Sequence, residues 1–338
     1  MKSSKEGDCH SLKSIEWPRQ LKTPRELAHA LSKRARLEIV NSPLCSRLVL
    51  QFIGGFSYIL ANFLNKSSIH NWNVFKEELS RIESIKYPKE SQTSSGSLNQ
   101  EEVKPRGPLI TLSNHISCID DPIVWGALLP FSYYFTKTDS VRWSAAAVDI
   151  CFSKPWHSTF FALGRSFPIR RGVGLEQPAM DYALALLEHN EWLHLFPEGR
   201  VMRDENQQVL SNIERGYIFK WGIAKLILDY FERANYVDEN SEIRVLPFYH
   251  LGLDKILPIG RPYIPRFGKK MTIYIRSSAI RLTRRSLQEI LINRNLHMRK
   301  NKSKSNDEIR RIKLTNYLEE ELEKLREPAT LLHHKKGR

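Results

Sequence analysis

Short apolar runs alternate with segments of helical periodicity from residue 108 onward. The strand-like runs are LITL at 109–112, SYYF at 132–135, FPI at 167–169, WLHLF at 192–196, IRVLPF at 243–248 and MTIYI at 271–275. Helices are predicted between them, one starting at Pro122 with Asp121 as its N-cap, one near 177–189 and one near 216–231. Strands separated by helices are typical of an α/β sheet covered by helices, which we predict for residues 108–280.

The helix predicted near 216–231 has a single apolar stripe. Its members recur at helical spacing: Phe219, Ile223, Leu226, Ile227 and Tyr230. Such a stripe favours packing on the sheet over contact with a membrane. The run WHSTFFAL at 156–163 is ambiguous, because adjacent aromatic side chains beside basic residues suit a membrane interface as well as a core.

An apolar segment precedes the predicted domain. Leu48 to Leu64 runs for seventeen residues without a charge, which is the lower limit for crossing a bilayer, and polar residues interrupt it. We therefore interpret residues 43–84 as a membrane-associated helical segment that lies in the interface. A core helix is the alternative for Leu48 to Leu64.

Three further segments complete the predicted organisation. Residues 1–42 form an N-terminal extension that is too acidic for a conventional transit peptide, so no cleaved targeting signal is evident. Residues 85–107 are rich in Ser, Gln, Lys and Glu and are predicted to be a flexible insertion. Residues 281–338 are predicted to be a basic helical C-terminal region.

The net charge narrows the class of partner. A formal charge of +15 and a pI near 9.6 indicate an anionic partner, which is nucleic acid, an anionic membrane surface or a phosphorylated substrate. Residues 266–304 carry twelve Lys or Arg against one acid. No nucleic-acid-binding motif accompanies this charge, so we expect a membrane and not a nucleic acid. The four cysteines lack paired CxxC or metal-ligand spacing, so free thiols are expected.

The segment from Asn114 to Pro122 combines a base and two carboxylates directly after an apolar strand. His115 and Asp120 are five residues apart, which on a regular helix leaves them roughly 140° apart about the axis. Only a turn brings them together. Asp120 would then fix the tautomer of His115 and make it a general base for an incoming hydroxyl.

A second cluster follows the predicted strand at 192–196. In FPEGR, Arg200 can bind a phosphate with two hydrogen bonds, Gly199 lets backbone amides approach it, and Glu198 can accept hydrogen bonds from a glycerol hydroxyl or orient the arginine. A plain turn is the alternative. Two more basic clusters lie beside predicted strand ends or helix starts: Arg170 with Arg171, and Lys220.

Other catalytic classes fit the sequence poorly. No GxSxG motif is present, and Ser117 has no independently placed base, which disfavours a serine hydrolase. Cys118 has apolar neighbours and an acid two residues on, which would raise its pKa and disfavour a cysteine nucleophile. His333 and His334 are expected to belong to a disordered basic end and not to a metal site.

These motifs resemble those of the glycerophospholipid acyltransferases, with NHISCID similar to the first motif of that family and FPEGR to its third. Further segments resemble the tafazzin family in the same order: VRWSAAAVDICFSK, HSTFFALGRSFPIRRG, IFKWGIAKLI, LPFYHLGLDKILP and PRFGKK. The resemblance covers about 108–270 and does not extend to 1–42, 85–107 or the chain beyond about 299. Arg171, by its place before Gly172, matches the family arginine.

The resemblance implies a phospholipid–lysophospholipid transacylase that remodels cardiolipin and needs neither metal nor acyl-CoA. His115 and Asp120 would be catalytic, and Arg171, Glu198, Gly199, Arg200 and Lys220 would bind substrate. Phosphatidylcholine, lysocardiolipin and cardiolipin would be the lipids. The implied location is peripheral on mitochondrial membranes, facing the intermembrane space.

Two alternatives stay open at this stage. An acyl-CoA-dependent lysophospholipid acyltransferase would use the same residues, because the chemistry of a base and a phosphate site does not distinguish a thioester from an ester donor. A peripheral lipid-binding scaffold would lack the reaction altogether, although the intact His115 and Asp120 count against it.

Overall fold

The structure is a computed structural model that describes residues 43–87, 107–201, 219–234, 241–258, 264–293 and 305–335. The predicted N-terminal extension, residues 1–42, lies outside the described residues, as do 88–106 of the predicted insertion and 294–304 of the basic stretch. The described part is an α/β structure with one sheet covered by helices, so the predicted fold class is confirmed.

Eight strands form the sheet within the described residues. They are β1 (Lys66–His70), β2 (Leu109–Ser113), β3 (Trp143–Ala147), β4 (Ser166–Ile169), β5 (Trp192–Leu195), β6 (Ile243–Leu251), β7 (Lys270–Ile275) and β8 (Ile280–Leu282). Their order is β1-β7-β6-β2-β5-β3-β4, and β8 pairs with β6. From β6 to β4 neighbouring strands are parallel, whereas β7 and β8 run antiparallel to β6. The carboxyl ends of five strands therefore meet at one edge, where α/β sheets bind ligands.

Helices cover both faces of the sheet. Their bounds are α1 (Pro43–Asn62), α2 (Trp72–Lys86), α3 (Asp120–Leu128), α4 (Tyr133–Thr136), α5 (Val148–Cys151), α6 (Pro155–Leu163), α7 (Pro178–Glu188), α8 (Gly222–Ala234), α9 (Leu253–Ile256), α10 (Arg284–Asn293), α11 (Asn306–Glu323) and α12 (Arg326–His334). Buried side chains of α7, α8 and α11 form the core on one face, and those of α1, α2 and α3 form the core on the other. The central strand β2 is fully buried, which explains why its sequence is almost continuously apolar.

Helix α1 has one buried face and one exposed face. Leu50, Gly54, Ser57 and Leu60 are buried against the domain. The exposed apolar side chains are Leu48, Phe52, Phe56, Ile59 and, just after the helix, Phe63. Among the described helices, α1 has the length and composition of a possible membrane span. The core-helix alternative thus accounts for the inner face of α1 and leaves the outer apolar face unexplained.

Two predicted elements differ from the structure near the site. The run 132–135 was predicted as a strand, but Tyr133–Thr136 is a short helix, because its two buried tyrosines pack inward beside α1. Helix α3 begins at Asp120 and not at Pro122, so the predicted N-cap at Asp121 was wrong. Pro122 still lies in the first turn, where its missing N–H is tolerated.

The remaining differences concern boundaries, the strands β1, β3 and β8, which were not predicted, and the C-terminal end, where His333 and His334 lie in helix α12 and not in a disordered tail. The helix predicted from about 216 begins at Gly222; Phe219 to Trp221 precede it, and 216–218 lie outside the described residues. Its stripe from Ile223 to Tyr230 packs in the core as predicted. Helix α2 runs to Lys86, two residues into the predicted insertion. The segment 43–84, predicted to be helical and membrane-associated, contains α1, edge strand β1 and most of α2. The polar sequence of β1, KSSIH, gave no signal for a strand.

Candidate active site

The turn after β2 brings His115 and Asp120 together. Oδ2 of Asp120 lies 2.9 Å from Nδ1 of His115 and accepts the amides of Ile116 and Ser117 at 2.6 and 2.9 Å. Asp120 is fully buried at the start of α3. The turn therefore folds around one carboxylate oxygen, which is the bent backbone that the five-residue spacing requires.

These contacts determine which ring nitrogen of His115 carries a proton. An oxygen that accepts two backbone N–H groups is the acceptor toward the histidine as well, so Nδ1 donates to Asp120. In the neutral ring, Nε2 is then the unprotonated nitrogen. The side chain of His115 is 20% exposed, so a substrate hydroxyl can reach it. This is the geometry of a general base oriented by a carboxylate.

Phe196 and Glu198, from the loop after β5, contact His115 from two further directions. The ring of Phe196 stacks on the imidazole with centroids 4.2 Å apart and planes 21° apart. Glu198 is buried, and its Oε2 accepts the backbone amide of His115 at 3.2 Å. The prediction gave Glu198 a role toward the glycerol or Arg200. In the structure its carboxylate binds the backbone amide of His115 instead.

Gly199, Arg200 and Lys220 lie together beside this loop. Gly199 has φ +71°, a left-handed conformation that favours glycine, and a β-carbon there would lie 3.2 Å from Cγ of Lys220. The amide of Lys220 donates to the carbonyl of Pro197 at 2.8 Å, which ties Lys220 to the turn. The side chains of Arg200 and Lys220 are exposed. Two cations are thus available to an anion at the edge that carries His115.

Arg171 lies farther along the same edge. It follows β4, which is separated from β2 by β5 and β3, so its strand is roughly 14 Å from that of His115 at the usual interstrand spacing. Its guanidinium forms an ion pair with Asp149 of α5, and this hydrogen bond lowers the pKa of the Asp149 carboxyl. Arg171 is therefore on the predicted edge but not adjacent to the histidine.

His250 is a neighbour of His115 and Asp120, and the sequence analysis did not predict it as a site residue. The Asn114 side chain donates to the carbonyl and accepts from the amide of His250, both at 2.9 Å. The imidazole Nε2 of His250 donates to the Asn114 carbonyl at 2.7 Å and lies 3.7 Å from Oδ2 of Asp120. Burial lowers the pKa of His250, which favours the neutral ring. A histidine near the end of the largely apolar strand IRVLPFYHL was the signal in the sequence that could have indicated it.

Asp121 serves a different purpose from its neighbour Asp120. Its carboxylate forms an ion pair with Arg142 and accepts Ser144 Oγ at 2.8 Å and Trp125 Nε1 at 3.0 Å. Burial raises the pKa of Asp121, but Arg142 and the hydrogen bonds outweigh that effect and hold the pKa below its ordinary value. Asp121 therefore links α3 to β3 through these contacts.

The described part of the chain contains neither a candidate metal site nor a disulfide. No group of three His, Cys, Asp or Glu there is placed to hold a metal ion. The described cysteines, Cys45, Cys118 and Cys151, are free of disulfides. Burial raises the pKa of the Cys151 thiol to about 11, which makes it a weak nucleophile.

Comparisons with known proteins identify an acyltransferase region in this chain. The acyltransferase family model matches residues 97–250, which contain both motifs. Tafazzin of Drosophila melanogaster is 33% identical over 232 residues, 68% of this chain and 50% of that protein, so the chain spans half the length of that relative. N-acylphosphatidylethanolamine synthase of Arabidopsis thaliana is 33% identical over 235 residues, 67% of this chain and 68% of that protein.

A solved structure, the 1-acyl-sn-glycerophosphate (LPA) acyltransferase PlsC from Thermotoga maritima, aligns over 87% of this chain and 84% of that one. Its TM-score is 0.47 at 15% identity. The two relatives by sequence, in contrast, share a third of their residues with this chain over about two thirds of its length. The chain belongs to the acyltransferase family that includes the tafazzins and N-acylphosphatidylethanolamine synthase.

Proposed function

We propose that this chain is a phospholipid–lysophospholipid transacylase that remodels cardiolipin in mitochondrial membranes without acyl-CoA. The observation that supports it most is the hydrogen bond between His115 Nδ1 and Asp120 Oδ2, at the strand edge that also carries FPEGR. Membership of the acyltransferase family defines the class of reaction, and the tafazzin relatives favour the finer assignment.

The reaction uses His115 twice. Nε2 takes the proton from a lysophospholipid hydroxyl as its oxygen attacks the acyl carbonyl of the donor phospholipid. The tetrahedral intermediate then expels the donor's glycerol oxygen, which receives the proton back from His115. Atoms and charge balance without an acyl-enzyme. Asp120 stabilises the imidazolium that exists between the two steps.

Phosphate recognition is assigned to Arg200, Lys220 and Arg171, with Gly199 allowing close approach. Arg200 and Lys220 lie beside the loop that contacts His115, so they suit the phosphate of the reacting lipid. Arg171 is three strands away and pairs with Asp149, so a phosphate would bind its remaining N–H groups or displace Asp149. Glu198, which accepts the His115 amide, is assigned to position the acceptor glycerol beside this histidine.

The identity of the acyl donor distinguishes the proposed transacylase from an acyl-CoA-dependent acyltransferase. Purified protein in liposomes should move a labelled acyl chain from phosphatidylcholine to lysocardiolipin with no CoA present. His115→Ala protein, prepared in the same way, is the matched control for contaminating activity. Strict dependence on acyl-CoA would assign the chain to the rival acyltransferase, and no transfer from either donor would favour a lipid-binding scaffold.

A second candidate reaction comes from the Arabidopsis relative, whose name describes synthesis of N-acylphosphatidylethanolamine. In that reaction an amine replaces the hydroxyl as the acceptor, and His115 would take a proton from nitrogen. Liposomes that contain phosphatidylethanolamine together with lysocardiolipin let the two acceptors compete in one assay. Label in N-acylphosphatidylethanolamine in place of cardiolipin would select this second reaction.

Membrane attachment is proposed through the outer face of α1 and its aromatic surroundings. Besides the exposed side chains of α1, the neighbouring segments expose Phe131, Phe135, Trp156 and Phe160. Apolar and aromatic side chains of this kind lie at the level of lipid headgroups, and the charge of +15 favours an anionic surface. A peripheral position facing the intermembrane space is part of the proposal.

Flotation with liposomes tests this attachment. Binding should increase with cardiolipin content and weaken with salt, and part of the protein should stay bound in carbonate at high pH. Tags at the two ends should be digested or protected together in sealed mitochondria. Opposite protection of the two tags would show a complete span and contradict the interfacial position.

A further inference from the structure

Glu319 of helix α11 contacts the backbone of the segment that leads into Lys220. Its side chain is buried, and Oε2 accepts the amide of Phe219 at 3.0 Å across a separation of 100 residues. The ring of Phe219 is buried as well, in a small cluster with Tyr249, Leu322, Leu325 and Ala329. The C-terminal helices therefore hold Phe219 by both its amide and its side chain.

From Phe219 the contacts continue to the catalytic histidine. The next residue, Lys220, donates its amide to Pro197 at 2.8 Å, and Gly199 donates to Phe196 at 3.0 Å within the same turn. Glu198 of that turn accepts the amide of His115 at 3.2 Å. A shift of Phe219 would move the backbone of Lys220 first and the FPEGR turn second.

Packing alone does not explain a carboxylate at position 319. Leu314, Leu318 and Leu322 already bury the apolar face of α11. A buried carboxylate is costly unless hydrogen bonds stabilise it, so an apolar side chain would serve helix packing better. Among its contacts with described residues, the carboxylate supplies a strong, directional hydrogen bond to the amide of Phe219, the residue before Lys220.

We propose that Glu319 is a positioning residue that places Lys220 for the acceptor's phosphate. The C-terminal helices, beyond the 97–250 region that defines the family, thereby set the affinity of the site for a phosphorylated acceptor. This inference rests on the proposed contact between Lys220 and phosphate. It assigns no contact with substrate to Glu319 itself.

Steady-state kinetics on the full chain, with lysocardiolipin as acceptor, tests this role. Glu319→Gln keeps an acceptor oxygen at the same reach, so its KM should stay within about threefold of wild type. Glu319→Asp is one methylene shorter and loses the bond, so its KM should rise roughly ten- to a hundredfold while kcat changes by about threefold or less. Glu319→Ala should resemble Glu319→Asp.

Glu321→Ala is the matched control. Glu321 is a buried carboxylate on the same helix, and its Oε2 binds Arg276 at 3.0 Å and not the segment before Lys220. Glu321→Ala should leave KM unchanged, and it shows how much the loss of a buried carboxylate from α11 destabilises the protein. If Glu319→Ala does not fold, the Gln and Asp variants carry the test, because both retain a polar side chain of similar size.

A double substitution, Glu319→Asp with Lys220→Met, tests whether Glu319 acts through Lys220. If Glu319 acts through Lys220, Glu319→Asp should raise KM little further in a Lys220→Met background, whereas independent effects would multiply and overturn the inference. A raised KM for Lys220→Met with an unchanged KM for Glu319→Asp would overturn the inference and leave the proposed function intact. An unchanged KM for Lys220→Met would overturn both the phosphate contact and this inference.

Discussion

His115 is held from three directions. Asp120 binds its Nδ1, Phe196 stacks on its ring, and Glu198 binds its amide. These contacts fix both the tautomer and the plane of the imidazole before a substrate arrives, so little reorganisation is needed in the reaction. Asn114 and His250 add a rigid link from the same turn to β6.

A prediction at this scale concerns Arg200. Arg200→Ala should raise the half-saturating lysophospholipid concentration roughly ten- to a hundredfold, because a charge-assisted hydrogen bond contributes about 1.5 to 3 kcal/mol. The measurement is acyl transfer at varied acceptor concentration. Arg233→Ala is the control, since Arg233 is an exposed arginine that pairs with Glu188 on the surface. Unchanged kinetics for Arg200→Ala would make FPEGR a structural turn.

Sequence reasoning finds the residues of this site that are local and misses those that are distant. His115 and Asp120 are five positions apart, so one turn brings them together and their pairing is predictable. His250 is 136 positions from Asn114, and only the pairing of β2 with β6 makes them neighbours. Glu198 was predicted as a site residue, but its partner was not, because the partner is a backbone amide from another strand end.

Helix α1 and the segments packed on it determine which apolar side chains are exposed on the face proposed to bind the membrane. Helices α1 and α3 approach closely at Gly126, where a β-carbon would lie 2.4 Å from the backbone of Ser57. Tyr134 of α4 lies over Gly54 of α1 in the same way. This packing also explains why 132–135 is helical: two buried tyrosines beside α1 outweigh the strand preference of an aromatic run.

The adjacent glycines of α1 give a matched pair of substitutions. A β-carbon at Gly54 would lie 2.1 Å from the ring of Tyr134, whereas one at Gly55 would lie 3.6 Å from Phe131 in ordinary contact. Gly54→Ala should therefore destabilise the protein by about 1 to 3 kcal/mol through overpacking. Gly55→Ala should stabilise it by about 0.5 to 1 kcal/mol, as expected for alanine in a helix.

Thermal unfolding of both variants in the same detergent measures this difference. The account requires a lower Tm for Gly54→Ala and an equal or higher Tm for Gly55→Ala. Equal losses in both variants would contradict the packing of α1 on α4, and with it the orientation of the exposed apolar face.

For the molecule as a whole, two buried histidines couple stability to pH. Burial lowers the pKa of His194 to about 3 and also lowers the pKa of His250. In the unfolded chain both titrate near 6.5. Below that pH the unfolded chain binds more protons than the folded one, so folding stability is fully present above about 6.5 and decreases as the pH falls.

Each histidine should contribute up to about 1.4 kcal/mol per pH unit in this window. Unfolding free energies at about pH 7.5 and about pH 5.5 measure the slope. His194→Gln should flatten it relative to wild type, whatever its effect on stability at neutral pH. Equal slopes in the two proteins would show that His194 is not buried neutral in the fold.

The most direct test of the account compares acyl transfer by wild-type and His115→Ala protein in CoA-free liposomes that contain labelled phosphatidylcholine and lysocardiolipin. His157→Ala serves as the control, since His157 lies on helix α6 outside the site. If His115 is the general base, His115→Ala should lower turnover by roughly 10² to 10⁴-fold while its Tm stays close to that of wild type. A folded His115→Ala protein that transfers acyl chains at nearly the wild-type rate would contradict the central claim that His115 is the general base.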